Sequence, residues 1–113
     1  MTLHDDLLAR AQASLDACGA TVPDGDSWTA RSPIDGSDLM PVGAASASDV
    51  EAAIDAAHAA FLEWRTVPAP VRGNLVKRYG RLLEQHKEHL ADLVTIEVGK
   101  IRIDTGRRVV TVQ

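Results

Sequence analysis

The sequence predicts an α+β fold that is mostly α, with an N-terminal helix, a short β-hairpin and then a long antiparallel helical hairpin. In three stretches of the 113-residue chain, apolar residues recur at steps of three and four, which places them on one face of an α-helix. Between the first two stretches this period is lost, and two short extended segments flank a turn. The single domain 1–113 thus divides into a helix at 1–19, a β-hairpin at 27–42, a helical hairpin at 46–99 and an atypical tail at 100–113.

The N-terminal helix occupies residues 1–19. Thr2 and Asp5 have the spacing of a capping box, and Gly19 is a typical C-terminal stop. Cys18 lies on the apolar stripe of this helix, and no histidine is near it in the sequence. A lone cysteine at such a position is typical of a small core residue, whereas a reactive thiol needs a base or a cation beside it. We therefore expect Cys18 to be structural.

Residues 27–42 predict the β-hairpin. Two extended segments enclose the turn Pro33-Ile34-Asp35-Gly36, in which proline presets φ and the Asp-Gly pair supplies a position with positive φ. Pro41 has no N–H to donate to a ladder, so its strand should lie at an edge or end there. Because an isolated two-stranded hairpin is marginal in water, this one must pack on a helix or join a larger sheet.

The second helix, near 48–65, begins with a capping box and carries an apolar stripe. The box is either Ser48 with Glu51 or, starting earlier, Ser46 with Asp49. The stripe recurs at steps of four and three, in Val50, Ile54, Ala57, Phe61 and Trp64. Such a stripe is stable only when a partner covers it.

The third helix, near 70–98, keeps an apolar stripe over about six turns. Pro70 suits its first turn, and Gly99 suits the position just after its end. Gly73 and Gly80 each lower helix stability, which predicts either a close backbone approach or a local bend.

The connector at 66–70 decides how these two helices are expected to meet. It is short and rich in proline, which predicts that the second and third helices are antiparallel neighbours. Their stripes then cover each other, and we expect Phe61 and Trp64 to meet Leu75 and Tyr79.

Composition and charge exclude several classes of function. The net charge of −4 gives no electrostatic reason to expect nucleic acid or an acidic membrane as a partner. No apolar run approaches the roughly 20 residues that span a bilayer. The single cysteine cannot form an internal disulfide, and the acidic N-terminus is unlike a secretory signal. These features predict a cytoplasmic protein.

The histidines raise one metal hypothesis. His86 and His89 lie one turn apart on the third predicted helix, with Glu84 and Glu88 nearby. A metal site needs three or four converging ligands, and the interleaved Lys87 indicates a solvated face instead. The sequence also lacks a glycine-rich phosphate turn and an assembled nucleophile and base. We therefore predict no catalytic, cofactor-binding or metal-ligating residue in this chain.

Five short motifs in a fixed order carry a family resemblance. They are Ser-Pro-Ile-Asp-Gly at 32–36, Ser-Asp-Val-Glu-Ala-Ala-Ile at 48–54, Ala-Ala-Phe-Leu-Glu-Trp-Arg at 59–65, Pro-Val-Arg-Gly at 70–73 and Glu-Val-Gly-Lys at 97–100. In this order and at these distances they resemble the N-terminal region of the aldehyde dehydrogenase superfamily. The pieces TVPAPVRG and IEVGKI are most similar to the branch that contains α-aminoadipic semialdehyde dehydrogenase.

The resemblance implies a partial domain, the N-terminal piece of an enzyme that oxidises an aldehyde to a carboxylic acid with NAD or NADP. Family members use a cysteine nucleophile, an asparagine that holds the oxyanion and a glutamate that activates water, all downstream of the matched motifs. Cys18 precedes those motifs, so it is not that nucleophile. This chain alone is therefore expected to be inactive and to bind no cofactor. By analogy, the carbonyl of Arg31 and the carboxylate of Glu97 are candidate ligands of a structural monovalent cation that would need a further ligand.

The tail at 102–113 departs from the pattern that the family leads us to expect after residue 101. It carries three arginines against one aspartate, but without interleaved aromatic residues this is weak support for nucleic-acid binding. We interpret it as the end of a truncated or frame-shifted gene product. The leading function is then an N-terminal fragment of an aldehyde dehydrogenase that self-associates through exposed apolar surface. The alternative is a stand-alone helical module that binds protein through its helical pair.

Overall fold

Four α-helices and one two-stranded antiparallel sheet make up residues 2–101, the part of the chain that the computed structural model describes. In chain order the elements are α1 (Leu3–Ala17), β1 (Trp28–Arg31), β2 (Asp38–Val42), α2 (Ala47–Trp64), α3 (Ala69–Gln85) and α4 (Lys87–Val98). The expectation of a mostly helical α+β fold is confirmed. The predicted atypical tail lies outside the described residues from position 102 onward.

Capping boxes begin both α1 and α2. At α1, the Thr2 hydroxyl accepts from the Asp5 N–H at 3.2 Å, and the Asp5 carboxylate accepts from the Thr2 N–H at 2.9 Å. At α2, Ser46 and Asp49 form the same pair of hydrogen bonds at 3.2 and 2.9 Å. Of the two boxes that the sequence allows, the earlier one forms, so α2 begins at Ala47.

β1 and β2 form the predicted hairpin, with Trp28 opposite Val42 at its open end. Gly36 lies in the turn with a φ of 73°, the positive value expected of the Asp-Gly pair. A sheet of two strands has only edges, so Pro41 lies at an edge as its missing N–H requires.

The buried core lies where α1, the hairpin and α4 meet. Its apolar side chains are at most 8% exposed, and they are Leu7, Ala11, Leu39, Ala91 and Ile96. Ala30, Met40 and Leu93 are partly buried against this core. Arg10 joins α1 to α4 through the Asp92 carboxylate at 3.1 Å. The hairpin is thus covered by helices, as its marginal stability in isolation requires.

α2 and α3 both form, but their apolar stripes do not cover each other. No residue of either helix is buried. Phe61 and Trp64 are 52% and 38% exposed, and Leu75 and Tyr79 are 55% and 59% exposed. The predicted contact between these two pairs is therefore wrong, and the two helices are consecutive elements rather than a closely packed hairpin.

The connector between α2 and α3 is ordered by its own hydrogen bonds. The carbonyl of Glu63 accepts from both the N–H and the hydroxyl of Thr66, at 3.1 and 2.7 Å, and the Val67 N–H donates to the Trp64 carbonyl at 3.1 Å. Pro68, with its φ fixed near −55°, is the N-cap residue of α3, which begins at Ala69. A connector held by its own hydrogen bonds permits an antiparallel pair without enforcing one.

The helix predicted near 70–98 is divided in two at His86, where φ is −99° and ψ is 9°. Backbone hydrogen bonds of 3.0 Å continue on both sides, so the division is a local rotation of the chain and not a loop. Gly73 and Gly80 lie inside α3 with open space where a Cβ would be, so neither marks a close approach or the bend. The division separates the exposed α3 from α4, which packs on α1.

The described chain is elongated. Its Cα radius of gyration is 17.4 Å and its longest dimension is 53 Å, whereas a compact domain of similar length has a radius of about 13 Å. The extension follows from α2 and α3, which lie outside the core. Among residues 2–101, no helix combines the length and the apolar character needed to cross a bilayer.

Candidate functional site

The turn of the β-hairpin meets the C-terminal end of α4. Ser32 Oγ donates to the carbonyl of Ile96 at 2.7 Å and accepts from the N–H of Ile34 at 3.3 Å. Ser32 and Ile96 are each only 1% exposed. Because a buried polar group without a partner is costly, a hydroxyl that both donates and accepts here stabilises the contact. The 32–36 motif is therefore held against the end of α4.

Gly99 makes the second contact between the two motifs. It ends α4 in the left-handed region with φ of 72° and donates its N–H to the Thr95 carbonyl at 2.9 Å. A Cβ at this position would lie 3.0 Å from Cγ of Pro33. Glycine is thus required twice, by the backbone conformation and by the proximity of the proline ring. We call the contact formed by residues 32–36 and 96–100 the motif junction.

His4, Ser37 and Asp35 form a hydrogen-bonded chain on the outer side of the hairpin turn. Ser37 donates its hydroxyl proton and its N–H to Asp35 Oδ1, at 2.6 and 3.0 Å, which holds the pKa of Asp35 below its usual value. His4 Nδ1 lies 2.9 Å from Ser37 Oγ and must donate, because Ser37 has no second proton. A catalytic triad has the histidine between serine and carboxylate as a base. Here Ser37 lies between His4 and Asp35, and His4 donates to the hydroxyl instead of accepting its proton. The histidine therefore does not activate this hydroxyl.

The two residues considered for a monovalent cation lie at the motif junction. Arg31 and Glu97 are next to Ser32 and Ile96, the pair joined by the buried hydrogen bond. The Arg31 side chain is engaged elsewhere, with Nε 2.9 Å from the Asp38 carboxylate. Within residues 2–101, no three histidine, cysteine, aspartate or glutamate side chains converge as metal ligands. One carbonyl and one carboxylate do not complete a coordination shell, so no chemistry is assigned to a cation here.

A small cavity of about 160 Å³ lies beside the motif junction, between α1, the hairpin and α4. It is mostly apolar, and its lining residues are Ala11, Leu15, Val22, Ala30, Leu39, Met40, Val42, Leu93, Ile96 and Glu97. No hydroxyl, imidazole or thiol lines it. The cavity can accept an apolar side chain, and the Glu97 carboxylate is the one ionisable side chain among these lining residues, so the cavity offers neither a nucleophile nor a pair of groups for acid–base chemistry.

The other residues singled out from the sequence lie apart from this junction. Cys18 is half-buried at the C-terminal end of α1. His86 lies at the division between α3 and α4, and His89 is exposed one turn further on. Ser32 links the two motifs, and no pattern in the sequence indicated this role. The sequence contains Ser-Pro in one motif and Gly-Lys in the other. These pairs indicate two turns, but they do not indicate that the two turns are in contact.

Comparison with curated relatives adds independent information. N-succinylglutamate 5-semialdehyde dehydrogenase of Serratia proteamaculans is 43% identical over 81 residues, which are 72% of this chain and 16% of that protein. Malonate-semialdehyde dehydrogenase 2 of Geobacillus thermodenitrificans is 46% identical over 72 residues, 64% of this chain and 15% of that protein. Succinate-semialdehyde dehydrogenase [NADP(+)] GabD of Escherichia coli is 33% identical over 100 residues, which are 88% of this chain and 21% of that protein. The chain therefore spans about a fifth or less of the length of these relatives.

The aldehyde dehydrogenase family model matches residues 22–112. This match includes the hairpin, α2, α3, α4 and the motif junction. It also continues past residue 101, which argues against an abrupt loss of the family pattern at that point. The motifs, the fold and the relatives agree, and the chain belongs to the aldehyde dehydrogenase family.

Proposed function

We propose that this chain is the N-terminal segment of an NAD(P)-dependent aldehyde dehydrogenase, and that its role there is structural. Family membership supports the class of enzyme. The motif junction supports the structural role, because the Ser32 hydroxyl is buried and its proton is committed to Ile96. A polar group already bonded in a buried contact is not available to bind a substrate. This buried bond is the observation on which the proposal rests.

The reacting groups of the enzyme are proposed to lie outside these 113 residues. Cys18 is half-buried at a helix end, and the Ser37 hydroxyl donates a hydrogen bond to Asp35. Asp35 is a weak base because its pKa is lowered, so it does not activate the Ser37 hydroxyl as a nucleophile. Within residues 2–101, no hydrogen bond joins the Cys18 thiol to a base. The nucleophile, the water-activating carboxylate and the dinucleotide-binding turn would then come from the remaining four-fifths or so of a family member's length. The 113-residue chain by itself is proposed to be inactive and to bind no cofactor.

The proposed substrate is an aldehyde that also carries a carboxylate. The relatives from Serratia, Geobacillus and Escherichia are all named as semialdehyde dehydrogenases. The α-aminoadipic semialdehyde branch, suggested by TVPAPVRG and IEVGKI, is the specific proposal within this class. The cofactor is NAD or NADP, and one relative is named for NADP(+). We also propose a cytoplasmic location, because the single cysteine needs no oxidising compartment.

A chimaera tests this function. The matching N-terminal segment of the Escherichia coli relative is replaced by residues 22–112 of this chain, and NADPH formation from succinate semialdehyde is measured. We expect kcat within about tenfold of the parent enzyme, which corresponds to about 1.4 kcal/mol in the barrier. A matched chimaera carrying Ser32→Ala should melt at a lower temperature, while its KM stays unchanged because Ser32 does not contact substrate.

Two outcomes contradict the proposal. One is a chimaera that unfolds cooperatively, with the parent's oligomeric state, but has no activity. The other is a Ser32→Ala chimaera whose KM changes while its melting temperature does not, since that result would place Ser32 at the substrate and not at a structural junction.

A second candidate function is a stand-alone helical module that binds another protein. The observation that favours it is the exposure of the apolar residues of α2 and α3, such as Ile54 at 63% and Tyr79 at 59%. An inactive but folded chimaera would make this module the leading function. An active chimaera would leave it without a role.

A further inference from the structure

Two aspartates of this chain are followed by glycine, Asp24-Gly25 in the loop before β1 and Asp35-Gly36 in the hairpin turn. An Asp-Gly pair can rearrange without an enzyme, because the glycine nitrogen can attack the carboxyl carbon of the aspartate and no side chain on the glycine hinders its approach. All four residues are exposed. The two pairs therefore have the same intrinsic chemistry, and any difference between them must come from their surroundings.

The pair in the hairpin turn is held by hydrogen bonds to both of its reacting groups. Asp35 Oδ1 accepts from the hydroxyl and the N–H of Ser37, at 2.6 and 3.0 Å. The Gly36 N–H donates to the Ser32 carbonyl at 2.8 Å. These bonds have to break before the nitrogen can reach the carboxyl carbon, so each of them opposes the reaction. The lowered pKa of Asp35 acts in the same direction, since nitrogen attacks the neutral carboxyl group.

The pair in the loop before β1 has neither restraint. Within residues 2–101, the Asp24 carboxylate forms no hydrogen bond or ion pair, and the Gly25 N–H has no acceptor. Gly25 has a φ of 135°, a conformation that glycine adopts readily. The nitrogen and the carboxyl carbon of this pair can therefore approach each other without first breaking a hydrogen bond of their own.

We propose that Asp24 is a site of spontaneous modification, at which this chain converts aspartate to isoaspartate. The Gly25 nitrogen forms a bond with Cγ of Asp24, the bond from Cγ to its hydroxyl oxygen breaks, and water leaves with the proton of the nitrogen. The product is a cyclic succinimide. Water then adds to one of the two carbonyls of the ring. Addition at Cγ restores aspartate, whereas addition at the main-chain carbonyl leaves isoaspartate, in which the peptide bond runs through Cγ. No oxidant or cofactor takes part.

The modified bond lies where the loop crosses the end of β2. The Gly43 N–H donates to the Pro23 carbonyl at 3.0 Å, and a Cβ on Gly43 would overlap the carbonyl of Asp24. A Cβ on Gly25 would lie 2.8 Å from Cα of Gly43, so the two backbones are in direct contact. Isoaspartate adds a methylene to the main chain at this crossing. Because the crossing has no room for it, we expect the hydrogen bond of Gly43 to open.

Incubation of the folded 113-residue chain in heavy-oxygen water measures the reaction at both pairs. Each ring opening places a solvent oxygen in the residue, and trypsin, used after transfer to ordinary water, cleaves at Arg31 and separates the pairs into peptides 11–31 and 32–65. Peptide fragmentation locates the isoaspartate. We expect it to form at least about tenfold faster in peptide 11–31, given the hydrogen bonds that hold Asp35. In urea, where neither pair is restrained, the two rates should agree within about twofold.

Two substitutions separate the reacting pair from its surroundings. Asp24→Ser removes the carboxyl group that reacts. Because the Asp24 side chain makes no hydrogen bond within residues 2–101, this variant should fold like the parent and lose the label from peptide 11–31. Ser37→Ala removes the hydroxyl bond to Asp35 and should raise the rate in peptide 32–65, with native helicity checked by circular dichroism.

Amide hydrogen exchange tests the consequence for the fold. In the isomerised chain, isolated by chromatography, the Gly43 N–H should exchange at least about tenfold faster than in the parent. The Gly36 N–H, which is bonded within the hairpin turn, is the matched control and should exchange at the parent rate. A rate at Asp35 equal to or above that at Asp24 in the folded chain, label that persists in peptide 11–31 of the Asp24→Ser variant, or unchanged exchange at Gly43 would each overturn the proposal.

Discussion

Asp49 accepts hydrogen bonds from the hydroxyl and the N–H of Ser46, at 2.7 and 2.9 Å, at the start of α2. The bond from the hydroxyl is the larger cause, and together the two bonds hold the pKa of Asp49 below its ordinary value of 3.8. The pKa of Asp5 is lowered in the same way at the start of α1. The main cause is the hydrogen bond from the backbone N–H of Thr2. A carboxylate whose pKa is lower in the folded chain stabilises it above pH 3.8, and this contribution is lost as the pH falls through the folded pKa.

The first prediction is therefore that α2 frays from its N-terminus when the pH falls below about 3.8. α2 has no buried residue, so little else holds its first turn. NMR chemical shifts of residues 46–52 during an acid titration measure the effect in dilute, monomeric protein. Asp49→Asn should remove most of this pH dependence, while Asp55→Asn, in the middle of the helix, should keep it. A titration step of equal size in both variants would contradict the capping box.

Gly99 supports a second prediction at the scale of single residues. Gly99→Ala should destabilise the fold by about 1–3 kcal/mol, because it places a Cβ in the left-handed region and against Pro33. Gly19 is the matched control, since its φ is 65° but a Cβ there would meet nothing within 4 Å. Urea unfolding of the two alanine variants therefore separates backbone strain from the contact with Pro33. Equal losses of unfolding free energy would show that the proline contact contributes nothing.

Helices of two kinds occur in this protein. α1 and α4 pack on each other and on the hairpin, and their inward residues Leu7, Ala11 and Ile96 are at most 2% exposed. α2 and α3 have equally regular stripes but no partner within residues 2–101. Both kinds of helix are amphipathic, so periodicity alone does not tell which of them is buried. Substitutions in the two kinds should have very different effects on stability.

A third prediction compares Phe61→Ala with Leu7→Ala. Leu7 is 2% exposed in the core, so its loss should cost about 2–5 kcal/mol. Phe61 is 52% exposed and has only local ring neighbours, His58 and Arg65. Its loss should cost less than about 1 kcal/mol in dilute protein. Thermal unfolding at low concentration measures both. A loss at Phe61 equal to that at Leu7 would mean that α2 is packed in the monomer after all.

At the scale of the whole molecule, the chain is a small core with a long extension. The core of α1, the hairpin and α4 contains the motif junction, and α2 and α3 contribute no buried residue to it. The family match spans both parts. The chain also represents only 15–21% of the length of the three relatives described above. Under the proposed function, the reacting groups of the enzyme lie outside these 113 residues.

The fourth prediction is that the 113-residue chain neither binds NAD measurably nor oxidises an aldehyde. Transition-state stabilisation needs positioned groups, and the hydroxyl and thiol considered above are not positioned as nucleophiles. NADH fluorescence titration and an absorbance assay with succinate semialdehyde check this. Cys18→Ser should match the parent in both. Turnover that disappears in the Cys18 variant would contradict the assignment.

Local features of this protein follow from the sequence by itself. Each capping box acts across only three residues, Thr2 with Asp5 and Ser46 with Asp49. The starts of α1 and α2 can therefore be predicted from the sequence alone. The positive φ of Gly36 follows equally from the turn that contains it. The order of the motifs was enough to indicate the family, since it does not depend on how the helices meet.

Tertiary structure alone decided which surfaces meet. Ser32 and Ile96 are 64 residues apart in sequence, and nothing in either motif states that a hydroxyl in one meets a carbonyl in the other. His86 has no glycine or proline beside it, yet the chain divides there, where packing on α1 begins. The stripes of α2 and α3 were visible as patterns, and the expected contact between them did not form. Periodicity shows that a helix face needs covering, but the covering element is chosen by long-range geometry.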